Sequence, residues 1–282
     1  MRPTTREVRE YFGLTPLTAS TTYYISEQRS TQAEEQPRDE NGQFTEETGI
    51  IIPTIETGDA SQIIINNITT ASEKFAAETG FDQTVQWNEH TDTGYGQLVF
   101  RYYDPDLPEQ PGIVMTRTIN SPTSMYHGGM AMRNEYLTQG HANKLNTYME
   151  DAYRESMIEI IQLDSDSETG PYGHALQGYD FDTTPPTPQT RLTEPFSTQQ
   201  FITAARTAMT KLYGSDWRTN PEATRQYESF EETLTRMTLD PSTRPIPLDY
   251  ATLGYTQGAT TWLGKEMLTG PHAPKYRAIK RL

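Results

Sequence analysis

The sequence predicts an α+β protein with a β-rich N-terminal part that contains a helix, a helical C-terminal part, and long extended arms. Short runs of β-branched and aromatic residues, bounded by Gly, Pro, Asn or Asp, crowd residues 50–120. Beyond residue 121, apolar residues recur at spacings of three and four, which is the period of one helix face. These two patterns divide the chain into residues 1–120 and 121–282.

The N-terminal part is predicted to start with a short amphipathic helix at residues 4–12, followed by a polar arm at residues 27–47. A second helix is predicted at residues 71–79, with Phe75 and Ala76 facing inward and Gly80 ending it. Five strands are also predicted: Ile50–Ile55, Gln62–Ile68, Thr84–Trp87, Gln97–Tyr103 and Ile113–Ile119.

Three helices are predicted in the C-terminal part. The first runs from Leu145 to Ile161, where apolar residues lie along one face. A capping box of Ser197 and Gln200 opens the second, and Asn220-Pro221 opens the third. The last two helices are predicted to form an α-hairpin, and the inward-facing residues are expected to be Tyr148, Ala152, Tyr227, Phe230 and Leu234.

Two segments of the C-terminal part lack a regular pattern. Residues 164–195 form a Pro/Thr-rich stretch that predicts a long loop, either a linker or an arm laid over a neighbouring subunit. Residues 270–282 predict an extended basic tail. Together with the polar arm at residues 27–47, these segments favour a subunit that buries its arms against other copies in an assembly.

The charge balance of the chain is strongly acidic. The formal net charge is −15, with 6 Lys against 17 Arg and 43 Thr. We interpret this composition as adaptation to high salt, where an acidic surface is screened; a GC-rich genome is the alternative explanation for the preference for Arg. The acidic balance also argues against non-specific nucleic-acid binding over the whole surface.

Several classes of site are excluded or disfavoured by the residues present. The chain has no Cys, which excludes disulfides and cysteine catalysis. No apolar run reaches the length of a membrane span, and no signal peptide is evident at the N-terminus, so we expect a protein without membrane contact that is made in the cytoplasm. None of the five His has a partner at the helical spacing of a metal site, so no metal and no cofactor are expected.

Two motifs could carry chemistry. His127-Gly128-Gly129 is similar to the glycine-rich oxyanion loop of esterases, but no Gly-x-Ser-x-Gly elbow accompanies it, and we interpret it as a flexible loop. Alternating carboxylates at Asp164, Asp166 and Glu168 could begin a cation site, with a solvated acidic loop as the alternative. The sequence therefore favours a protein that is not an enzyme.

The basic tail is the candidate partner-binding segment. It mixes cations with apolar anchors, and it could dock onto an acidic neighbour, onto a copy of this chain, or onto DNA. A disordered terminus is the alternative interpretation. The candidate residues are Lys275, Tyr276, Arg277, Ile279, Lys280, Arg281 and Leu282.

The segment Arg38-Asp-Glu-Asn-Gly-Gln-Phe44 resembles a short pattern of structural proteins of tailed viruses, and the Lys-poor, Thr-rich composition is similar to that of tailed viruses of halophilic archaea. This resemblance implies a virion component assembled in the host cytoplasm. Connector subunits are typically partly helical with extended tails, so we expect a head-tail connector that forms a homo-oligomeric ring. The implied partners are copies of itself, portal or tail components and, in passing, packaged DNA. Another capsid or tail protein, a halophilic cytoplasmic hydrolase with an unrecognised site, and a cytoplasmic binding module are the alternatives.

Overall fold

The computed structural model describes residues 60–90, 95–137, 139–167, 170–186, 189–239 and 244–282. The predicted N-terminal helix, the polar arm at residues 27–47, the strand Ile50–Ile55 and the segment Arg38–Phe44 lie outside the described residues. None of the helices in the described ranges is both long and apolar enough to cross a membrane.

Strands and helices alternate irregularly along the described chain. The strands are β1 (Asp82–His90), β2 (Tyr95–Tyr103), β3 (Ile113–Ser121), β4 (Ser124–Met132), β5 (Ile160–Ser165), β6 (Asp180–Phe181) and β7 (Tyr276–Arg281). The α-helices are α1 (Ala60–Thr79), α2 (His141–Glu155), α3 (Gly170–Leu176), α4 (Thr198–Tyr213), α5 (Pro221–Leu239), α6 (Pro247–Ala251) and α7 (Leu263–Met267).

The seven strands of the described residues form one mixed sheet in the order β1-β2-β3-β4-β5-β7-β6. Neighbouring strands are antiparallel except β4 and β5, which are parallel and are joined through α2. A parallel pair needs such a crossover because the chain must return to the same end of the sheet. The predicted α+β class is confirmed.

The first four strands form an antiparallel meander, and three of the predicted strands lie within it. Thr84–Trp87, Gln97–Tyr103 and Ile113–Ile119 fall within β1, β2 and β3. In β2, buried Leu98, Phe100 and Tyr102 alternate with partly exposed residues, as expected for a strand with one face on the core. These three strand predictions are confirmed.

The predicted strand Gln62–Ile68 is wrong, because these residues belong to α1. Ile64, Ile65 and Ile68 are buried while Ile63 is 57% exposed. Spacings of one, three and four between buried positions continue through Phe75, so a single helix face covers the sheet. The helix predicted at residues 71–79 is confirmed as the second half of α1, and the Gly80 N–H closes it on the Ala76 carbonyl at 2.9 Å.

The predicted helix Leu145–Ile161 is too long. It ends at Glu155, and Met157 then adopts a left-handed φ of 60° with its side chain 79% exposed. After this turn the chain continues into β5, so Ile160 and Ile161 are strand residues rather than helix residues. The sequence predicts no strand at β4, because its glycines and histidine resemble a loop.

The predicted loop at residues 164–195 is partly ordered secondary structure, since it contains the end of β5, all of α3 and the short strand β6. The segment after β6 is tied to the chain's own sheet: the Arg191 N–H bonds a carboxylate oxygen of Asp164 at 2.5 Å, and the Pro195 carbonyl accepts from the Arg277 N–H at 2.9 Å. The interpretation of this segment as a linker or inter-subunit arm is therefore wrong for its described residues.

The helices α4 and α5 pack against each other, as the predicted hairpin requires. The Arg206 Nε donates to the Tyr227 hydroxyl at 3.2 Å between them. Asn220 caps α5 by accepting from the N–H of Glu222 at 2.9 Å. The capping box of Ser197 is wrong, because Ser197 occupies the N-cap position of α4 without a side-chain hydrogen bond. Four of the five residues expected to face inward are buried, namely Ala152, Tyr227, Phe230 and Leu234. The fifth, Tyr148, is partly buried and packs against the core.

The predicted basic tail is β7, a strand inside the sheet with β5 on one side and β6 on the other. Tyr276, Arg277 and Ile279 are buried within this chain, and the Tyr276 hydroxyl donates to the Pro171 carbonyl at 2.7 Å. The apolar anchors of the tail therefore serve the protein's own core, and the docking-tail interpretation is wrong for these residues. Lys280 and Leu282 are partly buried, whereas Lys275 and Arg281 are exposed, and a partner-binding role for those two cations stays a prediction.

Candidate functional site

The parallel strands β4 and β5 separate halfway along the sheet. Their last residue pair is His127 with Leu163. Beyond it, β4 continues to Met132 on β3, while Asp164 and Ser165 of β5 pair with β7. Within the described residues, the outer edge of residues 128–132 therefore has no strand partner. We name the gap between residues 128–132 and residues 164–165 the β4–β5 cleft.

A bulge lies at the start of this cleft. The register of β3 with β4 shifts between Thr116–Gly129 and Arg117–His127, so that Gly128 is the extra residue. Gly129 is exposed, has no left-handed φ, and a Cβ there would meet only Thr116 Oγ1 at 4.0 Å. The fold itself does not require glycine at this position. Because glycine has no side chain, a ligand has room to approach the backbone there.

Three side chains form a hydrogen-bonded cluster at the base of the cleft. The Tyr153 hydroxyl, on α2, lies 3.1 Å from Arg117 Nε and 3.1 Å from His127 Nε2. Tyr153 is completely buried and Arg117 is 2% exposed. We call these residues the Arg117–Tyr153–His127 cluster. It lies at the last residue pair that joins β4 to β5.

Arg117 is a buried cation whose partners are all neutral. Its guanidinium donates to Tyr153, to the Thr116 carbonyl at 2.8 Å, to the Gly129 carbonyl at 3.4 Å and to Asn146 Oδ1 at 3.2 Å. No carboxylate of the described chain lies within ion-pair distance of it. A buried charge is costly unless it is hydrogen-bonded, so these neutral acceptors hold the guanidinium, and its positive charge acts on the neighbouring imidazoles.

Two histidines lie in the field of this charge. Burial and the nearby Arg117 hold the pKa of His127 well below its ordinary value. Burial, followed by Arg117 and Lys280, lowers the pKa of His174 on α3 to about 4. Both imidazoles are therefore neutral at pH 7. Burial raises the pKa of Tyr153 to about 12, so its hydroxyl keeps its proton.

The carboxylates considered as a cation site have arginine as their partner. Arg191 lies 3.0 Å from Asp166 and 3.9 Å from Asp164, which also accepts from the Tyr126 hydroxyl at 3.0 Å. Burial raises the pKa of Asp166. In the ranges that the structure describes, no three His, Asp or Glu side chains are grouped to hold a metal ion. Glu168 lies outside those ranges.

A separate cavity of about 340 Å³ lies beside β6 and β7. Asp180, Asp182 and Arg244 line it, together with Arg281 from the predicted tail and apolar residues such as Ile246. Among the cations of the predicted tail, Arg281 therefore borders a concave surface of the protein.

From the sequence, His127-Gly128-Gly129 is predicted to be a loop, which is wrong because it lies in β4, and Arg117, Tyr153 and His174 are not predicted to be site residues. A glycine pair inside an otherwise strand-like run is a known signal of a bulge and could have placed the motif in β4. No local pattern links Arg117 to Tyr153, because the two are 36 positions apart and meet only when α2 packs on the sheet.

Comparisons with known proteins leave the family open. No family model matches the chain, and no curated protein matches it. Among solved structures, a crystal structure of malonyl-CoA decarboxylase from Rhodopseudomonas palustris is similar over 65% of this chain and 46% of that chain, with 13% identity and a TM-score of 0.22. The chain thus spans about half the length of that protein, and a likeness at this level carries no argument about function.

Proposed function

We propose that this chain is an acyltransferase that binds an acyl thioester of the coenzyme A class along the open edge of β4 and transfers the acyl group to an amine. The observation that carries the proposal is the separation of β4 from β5 directly beside the Arg117–Tyr153–His127 cluster. In open sheets, ligands commonly bind beyond the carboxyl ends of parallel strands. The proposal departs from the non-enzymatic role expected from the sequence.

The open edge of β4 limits the shape of the ligand. An unpaired strand edge presents N–H and C=O groups at regular intervals, which an extended molecule with its own amides can satisfy. The pantetheine arm of coenzyme A is extended and contains two such amides. Gly129 supports this fit because the absence of a side chain lets another chain approach the backbone.

The position of α2 favours a ligand with phosphates at one end over a neutral peptide. This helix follows β4 after residues 133–140, and its first turn contains no acidic residue. Its N-cap residue is Gly140, which makes no side-chain capping bond to the first N–H groups. Helix N-termini of this kind stabilise phosphate groups.

The chemistry of acyl transfer matches the charges at the base of the cleft. The amine nitrogen attacks the thioester carbonyl carbon, the C–N bond forms, the C–S bond breaks, and the thiol leaves with the proton that the amine loses. Negative charge develops on the carbonyl oxygen, which the positive field of Arg117 stabilises. Neutral imidazoles at His127 and His174 can donate or accept a hydrogen bond near this centre.

Ligand-induced thermal stabilisation tests the proposal. Acetyl-coenzyme A at millimolar concentration is expected to raise the Tm of the full chain, because a ligand that binds only the folded state stabilises it. Gly129→Phe and Ala131→Phe, which place a bulky ring at exposed residues of the unpaired half of β4, should abolish this shift. Thr123→Phe, at an exposed residue immediately before the other end of β4, is the matched control and should retain it. Stabilisation by an extended Val/Thr hexapeptide but not by acetyl-coenzyme A would overturn the proposal in favour of a peptide-binding edge.

The ring-forming virion subunit stays a prediction from the sequence. Large apolar side chains with high exposure are few within the described ranges, namely Ile63, Leu107 and Met157, and they are separated in sequence. Light scattering at molar salt distinguishes the two classes of protein. A ring of many subunits would favour the virion role, and a monomer or dimer that binds acetyl-coenzyme A would favour the enzyme.

A further inference from the structure

The Tyr153 hydroxyl lies between two nitrogens whose roles differ. Arg117 Nε is 3.1 Å away and can only donate, because a guanidinium has no acceptor. His127 Nε2 is also 3.1 Å away and can donate or accept, depending on which ring nitrogen carries the proton. The cluster thus contains one undetermined proton position.

Counting donors and acceptors determines that position. A tyrosine hydroxyl has one proton and two lone pairs, and one lone pair receives the Arg117 Nε–H. If His127 Nε2 also donated, the hydroxyl proton would have no acceptor, since Tyr153 is fully buried and these two nitrogens are its hydrogen-bond partners in the described chain. An unsatisfied buried donor is costly, so the hydroxyl proton points to His127 Nε2.

We infer that His127 is held as the Nδ1–H tautomer and acts in the cleft as a hydrogen-bond donor rather than as a base. The chain of bonds runs from Arg117 Nε–H to the Tyr153 oxygen, and from the Tyr153 O–H to His127 Nε2. Arg117 and Tyr153 are positioning residues in this arrangement. The ring nitrogen that remains, Nδ1, has no hydrogen-bond partner among the described residues, and the His127 residue is only partly buried.

A fixed Nδ1–H donor at the base of the cleft suits a carbonyl oxygen that gains negative charge. This role rests on the proposed function: the Nδ1–H would bond the thioester carbonyl oxygen, while Nε2 stays occupied by Tyr153. The proton lost by the amine must then go to a group other than His127. His174 is a neutral imidazole in the same field, and its Nδ1 is buried without a partner.

Nitrogen-15 NMR of the full-length, uniformly labelled protein tests the tautomer without any ligand. Long-range imidazole correlations at pH 7.5 should give a protonated Nδ1 and an unprotonated Nε2 for His127, with the signals assigned by their loss in His127→Gln. A protonated Nε2 would overturn the inference directly. Tyr153→Phe should shift His127 toward the Nε2–H form, whereas Tyr179→Phe, whose ring lies beside His174 at 5.3 Å, should leave His127 unchanged.

The donor role has its own measurement. On saturation with acetyl-coenzyme A, the His127 Nδ1–H proton resonance should move downfield, as for a shorter hydrogen bond to a carbonyl oxygen. An unchanged resonance in the saturated complex would refute the donor role. Absence of binding would refute the proposed function instead. The tautomer inference would then be decided only by the measurement on the free protein.

Discussion

The ammonium group of Lys280 lies 2.6 Å from a carboxylate oxygen of Glu150 and joins β7 to α2 across 130 positions of sequence. Both side chains are less than a fifth exposed, so water screens the pair less than it screens an ordinary surface ion pair. Arg154 reaches the other oxygen of Glu150 at 3.3 Å. The basic residues that gave the tail its charge are thus partly used inside the molecule, at the back of the candidate site.

Deletion of residues 271–282 is expected to prevent folding. The deletion removes β7 from between β5 and β6 and exposes the core that Tyr276 and Ala278 cover. Circular dichroism should show loss of a cooperative thermal transition, and limited proteolysis should give rapid digestion. Lys275→Ala, at an exposed position, is the control and should unfold as the parent does. A truncated chain with an unchanged Tm would contradict the placement of β7.

Phe230→Ala is expected to lower the free energy of unfolding by about 3–5 kcal/mol, the usual range for a buried Phe. Phe230 is completely buried on α5, with its ring 5.6 Å from Tyr227 and 6.4 Å from Tyr250. Denaturant titration measures the change. Ile63→Ala, at a side chain 57% exposed, should cost less than about 0.5 kcal/mol. Equal costs for the two variants would show that α5 does not bury Phe230.

Tyr153→Phe is expected to cost about 1–3 kcal/mol in free energy of unfolding, because it leaves the Arg117 Nε–H buried without an acceptor. Tyr148→Phe, which removes a hydroxyl bonded to Glu78 at an exposed site, provides a matched comparison and should cost less. Chemical denaturation of both variants checks the difference. If both cost the same small amount, the hydrogen bond from Arg117 contributes little.

Acidification is expected to destabilise the protein through His174. Its pKa in the folded state, about 4, is below the ordinary value of 6.5, so the unfolded chain binds a proton first as pH falls. The stability that the neutral histidine contributes is therefore complete above pH 6.5 and declines between pH 6.5 and 4. His174→Gln should flatten this decline by up to about 3 kcal/mol. Parallel pH profiles of both proteins would refute the assignment.

Thermal stability is expected to rise with salt. With a net charge of −15, self-repulsion is strong at low ionic strength. The Debye length falls from ~10 Å at 0.1 M to ~3 Å at 1 M, so repulsion between surface carboxylates weakens. Calorimetry at the two salt concentrations measures the Tm. An identical Tm at both salt concentrations would contradict the interpretation of the composition as adaptation to high salt.

Local patterns predicted the elements whose burial follows one period. The alternation in β2 and the helix start at Pro221 could be predicted from neighbouring residues alone, whereas the helix at Thr198 starts where predicted but without the capping box. The error at Gln62–Ile68 has a physical cause: consecutive isoleucines favour a strand by propensity, but packing against the sheet selects the helix in which Ile63 is exposed. Tertiary contacts, not propensity, decided that segment.

The candidate site was largely beyond prediction because its residues come together only through the sheet. Arg117 lies on β3, His127 on β4 and Tyr153 on α2. The cleft exists because β4 extends beyond its last residue pair with β5. No local pattern in the sequence shows where the two parallel strands separate. The same holds for β7, whose cations and apolar residues have the composition of a docking tail although their partners lie in the same chain.

The pairing of Ile160 with Arg281 has a kinetic consequence. More than a hundred residues, including α3 to α7, separate the two strands, and loop-closure entropy must be overcome before that contact forms. Contacts of such long range slow folding, and until β7 arrives, β5 presents a bare strand edge to other chains. Refolding of this protein is therefore expected to be slow, with yields that fall as protein concentration rises.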